Sequence, residues 1–200
     1  MKATKRKPGR PLGSSEPEPR RDELVLAAYR RIAESGFEGL RTRDVAADAG
    51  VNIATLHYYF PTKEALIRGV VGLAMGRFRS TFAQGGTPGD QLAAHFRGVR
   101  RLNRAEPELF AVMGELALRS ARDASISAIF QETIDTWHAI LRGLLRHAQR
   151  EGNIRSELDP DTAASFVIAT FSGVFMLPFA GGGRKRLEQT LSQLEAFLGV

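Results

Sequence analysis

Apolar residues recur along this chain at helical spacing, and no window shows the sustained alternation of a half-buried strand. From Arg20 onward, Leu24, Ala28 and Ile32 fall at i, i+4 and i+8, with Ala27 and Ala33 beside them. Gly36 is placed to cap this helix, and Phe37 to fold back onto the core. In TRDVAADAG, residues 42–50, Thr42 is the predicted N-cap. Asp44 lies in the first turn, where the helix dipole favours an acid, and Val45, Ala46 and Ala49 form the buried stripe. A short helix over 52–60 ends at Pro61, and Thr62 caps a helix predicted to reach Phe82. After the break GGTPG at 85–89, helices are predicted over 90–105, 107–121, 124–151, 160–180 and 184–198. Gly152 and Asn153 close the long one, and Pro160 opens the next. The expected fold is all-α: an extended arm over 1–19, a three-helix unit over 20–66, and a helical bundle over 67–200.

Two short helices joined at Gly50, with Ala46 and Ala49 at their crossing and Val51 and Leu56 plugging the angle, describe a helix-turn-helix. At about 100° per residue, Leu56 and Phe60 project into the core. Ala54, Thr55, His57 and Tyr58 project away from it, and Tyr59 falls at the edge. No acid occurs from Ala49 to Lys63, so nothing there repels a phosphate backbone. Asn52, Thr55 and His57 suit base edges, Ala54 and the Thr55 methyl suit a thymine methyl, and tyrosine hydroxyls suit phosphates. Lys63 opens the following helix as a cation beside exposed N–H groups. A structural helical hairpin with an aromatic core is the other reading of this pattern.

Charge sharpens the choice. Net charge is +6, yet Lys2, Lys5, Arg6, Lys7 and Arg10 crowd the first ten residues, and the remainder is almost balanced. Such an arm suits a polyanion, although a solvated leader has the same composition. Its KRKPGRP run, residues 5–11, resembles the core of an AT-hook, with Arg6 and Arg10 suited to a narrow minor groove. There is no cysteine, which excludes disulfides and thiolate-ligated metals. No apolar run of signal-peptide length follows the basic start, so a cytoplasmic location is expected. The uncharged stretch 162–183 approaches membrane-spanning length. Its serines, threonines, Pro178 and glycines fit a helix buried in a core or an interface better, and no membrane partner is expected.

The order of Ala28, Gly36-Phe37, Thr42, Val45-Ala46, Ala49-Gly50-Val51, Thr55-Leu-His-Tyr-Tyr-Phe60 and Thr62-Lys-Glu-Ala-Leu66 resembles the TetR/AcrR family of transcriptional regulators. The resemblance covers roughly 21–68. It implies a two-fold dimer with a DNA-binding head and a ligand-binding body. By matching positions it implies DNA contacts from Thr42, Asn52, Ile53, Ala54, Thr55, His57, Tyr58, Tyr59 and Lys63. The partners expected are therefore double-stranded operator DNA, a small effector and a second copy of the chain. Repression is the family's common behaviour, and an architectural DNA binder without an effector is the alternative.

Phe166, Val167 and Val174 on one C-terminal helix, and Leu187, Leu191 and Leu194 on the next, are the expected dimer face. A lipophilic effector pocket is expected from Phe78, Phe110, Met113, Trp137, Phe171 and Phe175. Glu115 and His138 stand out as polar residues in apolar helices that either orient a ligand or play a structural part. The four histidines, His57, His95, His138 and His147, lack metal-ligand spacing, and no nucleophile elbow or P-loop occurs. Catalysis and a cofactor are not expected.

Overall fold

The computed structural model describes residues 17–83, 85–176 and 183–200. Among the described residues the fold is all-α, as the periodicity predicts. The helices are α1 (Pro17–Ser35), α2 (Thr42–Asp48), α3 (Ile53–Tyr59), α4 (Lys63–Arg79), α5 (Pro88–Ala105), α6 (Pro107–Ser120), α7 (Ala124–Arg150), α8 (Pro160–Met176) and α9 (Gly183–Leu198). A single 3-10 turn, Phe37–Gly39, links α1 to α2.

Local chemistry sets most boundaries. Gly36 has φ 67° and donates to Ile32 O at 2.9 Å, ending α1. Thr62 caps α4 by accepting from Ala65 N at 3.1 Å. Thr87 and Asp90 form a reciprocal capping box, which starts α5 at Pro88, two residues before the sequence pattern suggests. Asp123 caps α7 by accepting from Ser125 N and Ile126 N. Asp159 accepts from Thr162 N at 2.8 Å, just before α8.

Two expectations are corrected, and a third is met only as far as the described residues reach. Thr42 is the first residue of α2; the N-cap is Arg41, whose side chain makes no capping bond. The fourth helix stops at Arg79, because Thr81 Oγ1 donates to Phe78 O at 2.6 Å and takes up a carbonyl that ends the helix. The helix predicted over 160–180 is described to Met176, and its remainder lies outside the described residues. No helix among the described residues is long and apolar enough to cross a membrane.

The turn between α2 and α3 is a Schellman motif: Val51 N donates to Ala46 O at 2.9 Å and Gly50 N to Ala47 O at 3.0 Å. Gly50 takes φ 65°, a left-handed conformation that disfavours a Cβ even though open space surrounds it. Leu24, Ile32, Val45, Leu56, Phe60 and Leu66 meet beneath this turn, all essentially buried. α4 runs about 25 Å from this cluster into the bundle, where Val70, Val71, Ala74 and Phe78 continue the same core. α9 is held to α5 through Arg100, whose guanidinium meets Glu195 at 2.7 Å and Glu188 at 3.2 Å.

Because the strain at Gly50 is conformational and not steric, Gly50→Ala should lower the unfolding free energy by about 1 kcal/mol. Gly50→Asn should cost less. Denaturant unfolding of the three proteins measures this, and equal midpoints would remove the turn from the account.

Candidate nucleic-acid interface and effector cavity

α3 has only seven residues, and its outward side is assembled from what its inward side holds. Leu56 and Phe60 are buried, anchoring the helix. Asn52, Ala54, His57 and Tyr58 are exposed, Tyr58 to 79%. Thr55 and Tyr59 are half-buried, and the two tyrosine rings meet edge to face at 5.1 Å. Ile53 is half-buried and packs on the core, so it offers less outward surface than its place among the matching positions implies.

Asn52 and Thr55 are not independent. Asn52 Oδ1 accepts from Thr55 N at 2.8 Å and from the Thr55 hydroxyl at 3.0 Å. This caps α3 and assigns the remaining polarity: the Asn52 amide can only donate outward, and the Thr55 oxygen can only accept. Thr42 is half-buried between the exposed Arg41 and Arg43, neither of which forms an ion pair among the described residues. Nothing in the sequence pattern singles out these two arginines. Arg6 and Arg10 lie outside the described residues.

Lys63 does not stand free at the start of α4. It is half-buried, with Nζ 4.6 Å from the centre of the Phe37 ring. The Arg119 guanidinium also lies over that ring, at 4.8 Å. Glu115 belongs here too: its carboxylate accepts from Phe37 N at 3.2 Å, and Arg119 reaches Glu38 at 3.2 Å. Glu115 thus connects α6 to the 3-10 turn, in keeping with the structural one of its two readings, and does not line the α4–α7 cavity. The reason is the bend at Gly36, which brings the turn's free N–H against α6.

The cavity lies between α4 and α7, with a volume of about 240 Å³. Val71, Met75, Phe78, Phe82, Ile129 and Trp137 supply its apolar wall. Arg68, Arg79 and Glu132 supply its charge, with Arg68 and Glu132 ion-paired. Of the predicted pocket residues, Phe78 and Trp137 line it. Phe110 and Phe171 do not line it but pack behind its wall, on Phe78 at 5.7 Å and Trp137 at 5.5 Å, and Met113 is buried in the core. His138 faces α8, with Nε2 3.0 Å from Ser165 Oγ and 3.2 Å from Asp161 O. The Phe175 side chain lies outside the described residues.

Behind the cavity sits His95, fully buried. Its ring stacks on Phe82 at 3.9 Å and lies 5.8 Å from both Phe96 and Phe171. Burial among these rings pushes its pKa from 6.5 down to about 3. Apart from its lack of metal spacing, nothing in the sequence distinguished this histidine; its setting arises only where α4 and α5 meet.

The residues of the expected dimer face fall on two sides of the C-terminal helices. Val167, Val174, Leu187, Leu191 and Leu194 are buried in the chain's own core. Phe166 and Phe197 are the exposed rings there, 5.0 Å apart, beside Thr170, Gln189 and Gln193. A heptad-like leucine row on α9 therefore binds that helix to its own bundle, and the outward face is its other side.

Residues 24–70 match the model of bacterial regulatory proteins of the tetR family, and residues 88–199 match that of the BetI-type transcriptional repressor C-terminal region. The chain belongs to the TetR family. The family comprises bacterial regulatory proteins, and the relatives it matches are transcriptional regulators. Among curated TetR-family relatives, the transcriptional regulator BetI of Rhizobium meliloti is 31% identical over 96 residues, 46% of this chain and 47% of that protein. The chain spans about half the length of the curated relatives it matches. Two solved structures share the fold: Salmonella enterica GusR (TM-score 0.75, 23% identity, 94% of this chain and 99% of that one) and a putative regulator of Saccharomonospora viridis in complex with choline (TM-score 0.72, 20% identity, 90% and 96%).

The buried histidine makes stability depend on pH in a defined direction. Its folded pKa lies below its unfolded value, so between about 6.5 and 3 the unfolded chain binds a proton that the folded chain refuses. Stability from this group is complete above pH 6.5 and declines as pH falls, by about 1.4 kcal/mol per pH unit. His95→Phe should flatten that slope between pH 6 and 4 in urea unfolding. Parallel slopes would mean that His95 is protonated in the folded protein.

Proposed function

We propose that this TetR-family regulator is a homodimeric repressor that binds a palindromic operator through α3 and leaves it when a small lipophilic molecule enters the body. The observation that carries the DNA reading is the outward side of α3: exposed Ala54, His57 and Tyr58 on an acid-free helix pinned by Leu56 and Phe60. In this reading residues 20–66 are the head and 67–200 the body, with the basic arm 1–19 adding affinity through Arg6 and Arg10. Asn52 donates to base or phosphate acceptors, Thr55 presents its oxygen and methyl, and Tyr58 and Tyr59 reach phosphates. Thr42 lies between two unpaired arginines at the phosphate backbone, and Ile53 contributes apolar contact from the edge of the helix. Lys63 acts chiefly by bracing Phe37.

Pairing of two copies is assigned to the outward side of α8 and α9. Exposed Phe166 and Phe197 supply its apolar centre, and the buried Val167, Val174, Leu187, Leu191 and Leu194 hold the two helices in place from behind. Two copies of α3 then need to sit roughly 34 Å apart to read successive major grooves.

The α4–α7 cavity supports the effector reading. Choline occupies the S. viridis regulator, and Phe78, Phe82 and Trp137 would suit a quaternary ammonium here too. Yet Glu132, the cavity's carboxylate, is neutralised by Arg68, and Arg79 stands beside it. That field favours a neutral or anionic molecule over a cation. An effector that fits only one setting of α4 shifts the heads by linkage. α6 offers a second connection, through Glu115, Arg119 and Phe37.

Selection of bound duplexes from a random pool tests the reading directly: the expected product is a palindrome with half-sites one helical turn apart. Recovery of unrelated sequences with a steep salt dependence would instead support an architectural binder. On the selected duplex, Tyr58→Ala should weaken binding about tenfold, in line with the loss of one phosphate hydrogen bond, with unchanged melting temperature and dimerisation. Early melting would make Tyr58 a packing residue. Glu115→Ala should leave both DNA and effector affinity within about threefold but reduce their mutual coupling, read as operator affinity with and without a saturating effector.

A further inference from the structure

The α4–α7 cavity has charged groups of two kinds. Toward the head, Arg68 of α4 and Glu132 of α7 are ion-paired, so together they carry no net charge. Arg79, the last residue of α4, lines the cavity about 16 Å further along the helix. It makes no ion pair among the described residues. A basic side chain at a helix end ordinarily reaches back to the last carbonyls. Here the carbonyls of Arg77 and Phe78 already accept from Ser80 Oγ at 2.7 Å and Thr81 Oγ1 at 2.6 Å. The Arg79 donors are therefore left for something else. Thr133 and Thr136 on the α7 wall are the reverse case. Their hydroxyls donate to Ile129 O at 2.7 Å and Glu132 O at 2.8 Å, so they offer only acceptor oxygens.

The open space beside these groups has its own mark on α4. Glycine inside a helix costs about 1 kcal/mol relative to alanine. Gly69 has a packing reason, since a Cβ there would lie 2.8 Å from Val25 Cγ2. Gly72 lines the cavity, and a Cβ there would meet nothing within 4 Å. Neither close packing nor a positive φ requires glycine at 72; its missing side chain leaves the cavity open. Val71, Phe78, Ile129 and Trp137 are the buried apolar part of the lining. We propose that the cavity binds a medium-chain monocarboxylate, with its chain against Phe78 and Trp137 and its carboxylate on the Arg79 guanidinium. The inference rests on the effector reading above and narrows it from a neutral or anionic molecule to an anion. The planar guanidinium matches a carboxylate with two parallel N–H donors. An alcohol offers no charge to it, and a cation meets it as a like charge. The volume of about 240 Å³ favours a chain of medium length over a long one.

The test titrates the full chain calorimetrically with octanoate, octanol and octyltrimethylammonium, at a pH where octanoate is ionised. Octanoate should bind at least about fivefold tighter than octanol, the gain expected for one well-formed ion pair at an exposed site. The ammonium should bind most weakly, and added salt should shrink the advantage of octanoate. Arg79→Gln should lower octanoate affinity to that of octanol and leave octanol unchanged. Gly72→Leu fills the cavity without a clash at its Cβ, so it should weaken octanoate and octanol alike without lowering the melting temperature of the free protein. No binding of octanoate, equal affinity for octanoate and octanol, or an undiminished octanoate advantage in Arg79→Gln overturns the proposal. Octanoate binding that Gly72→Leu leaves intact overturns it too, because the ligand then lies elsewhere. The comparison of probes on the unaltered chain decides even if a variant fails to fold. Operator release is scored separately: binding with the expected preference but no release supports the site and counts against the effector reading.

Discussion

A seven-residue helix does not hold itself together in water, and both α2 and α3 are that short. Everything the outward surface of α3 can do therefore depends on what pins these helices from behind. Leu56 and Phe60 supply the burial, the Schellman turn at Gly50 sets the angle, and the bidentate Arg31–Asp48 pair ties α1 to the end of α2. That pair also holds the Asp48 carboxyl below the usual carboxylate range. With the inner face committed in this way, Ala54, His57 and Tyr58 have nowhere to go but outward.

The same economy of parts joins the two ends of the molecule. α4 carries one continuous apolar stripe from Leu66 to Phe78, so its N-terminal half packs with α1 and its C-terminal half forms the cavity wall. Phe37 supplies a second junction. It is a single buried ring between a lysine from α4 and an arginine from α6, with its own N–H donated to Glu115. A shift of α4 relative to α6 changes what this ring touches on both sides. In the proposed function, this packing is the route by which the cavity and the outward side of α3 are coupled.

At the other end of α4, the Thr81–His95 contact closes the helix against α5 so tightly that a Cβ on Gly98 would lie 2.5 Å from Thr81 Cβ.

The helices, their order and most of their ends are legible in the sequence. Periodicity and capping are local properties, written in residues within one or two turns of each other. The inward and outward sides of α3 follow from the same local geometry, as Leu56 against Tyr58 illustrates. What the sequence could not assign is which apolar side chains serve the core, the cavity or an exposed face. Phe110 and Phe78 read alike, and Leu191 and Phe166 both sit on plausible interface stripes, because burial on a helix depends on which neighbours cover it. Polar residues gave the sharpest divergence. Glu115 is placed by the bend at Gly36, and His95 by the crossing of α4 and α5. A side chain's local sequence specifies its chemistry, but only the long-range packing of helices decides what that chemistry meets.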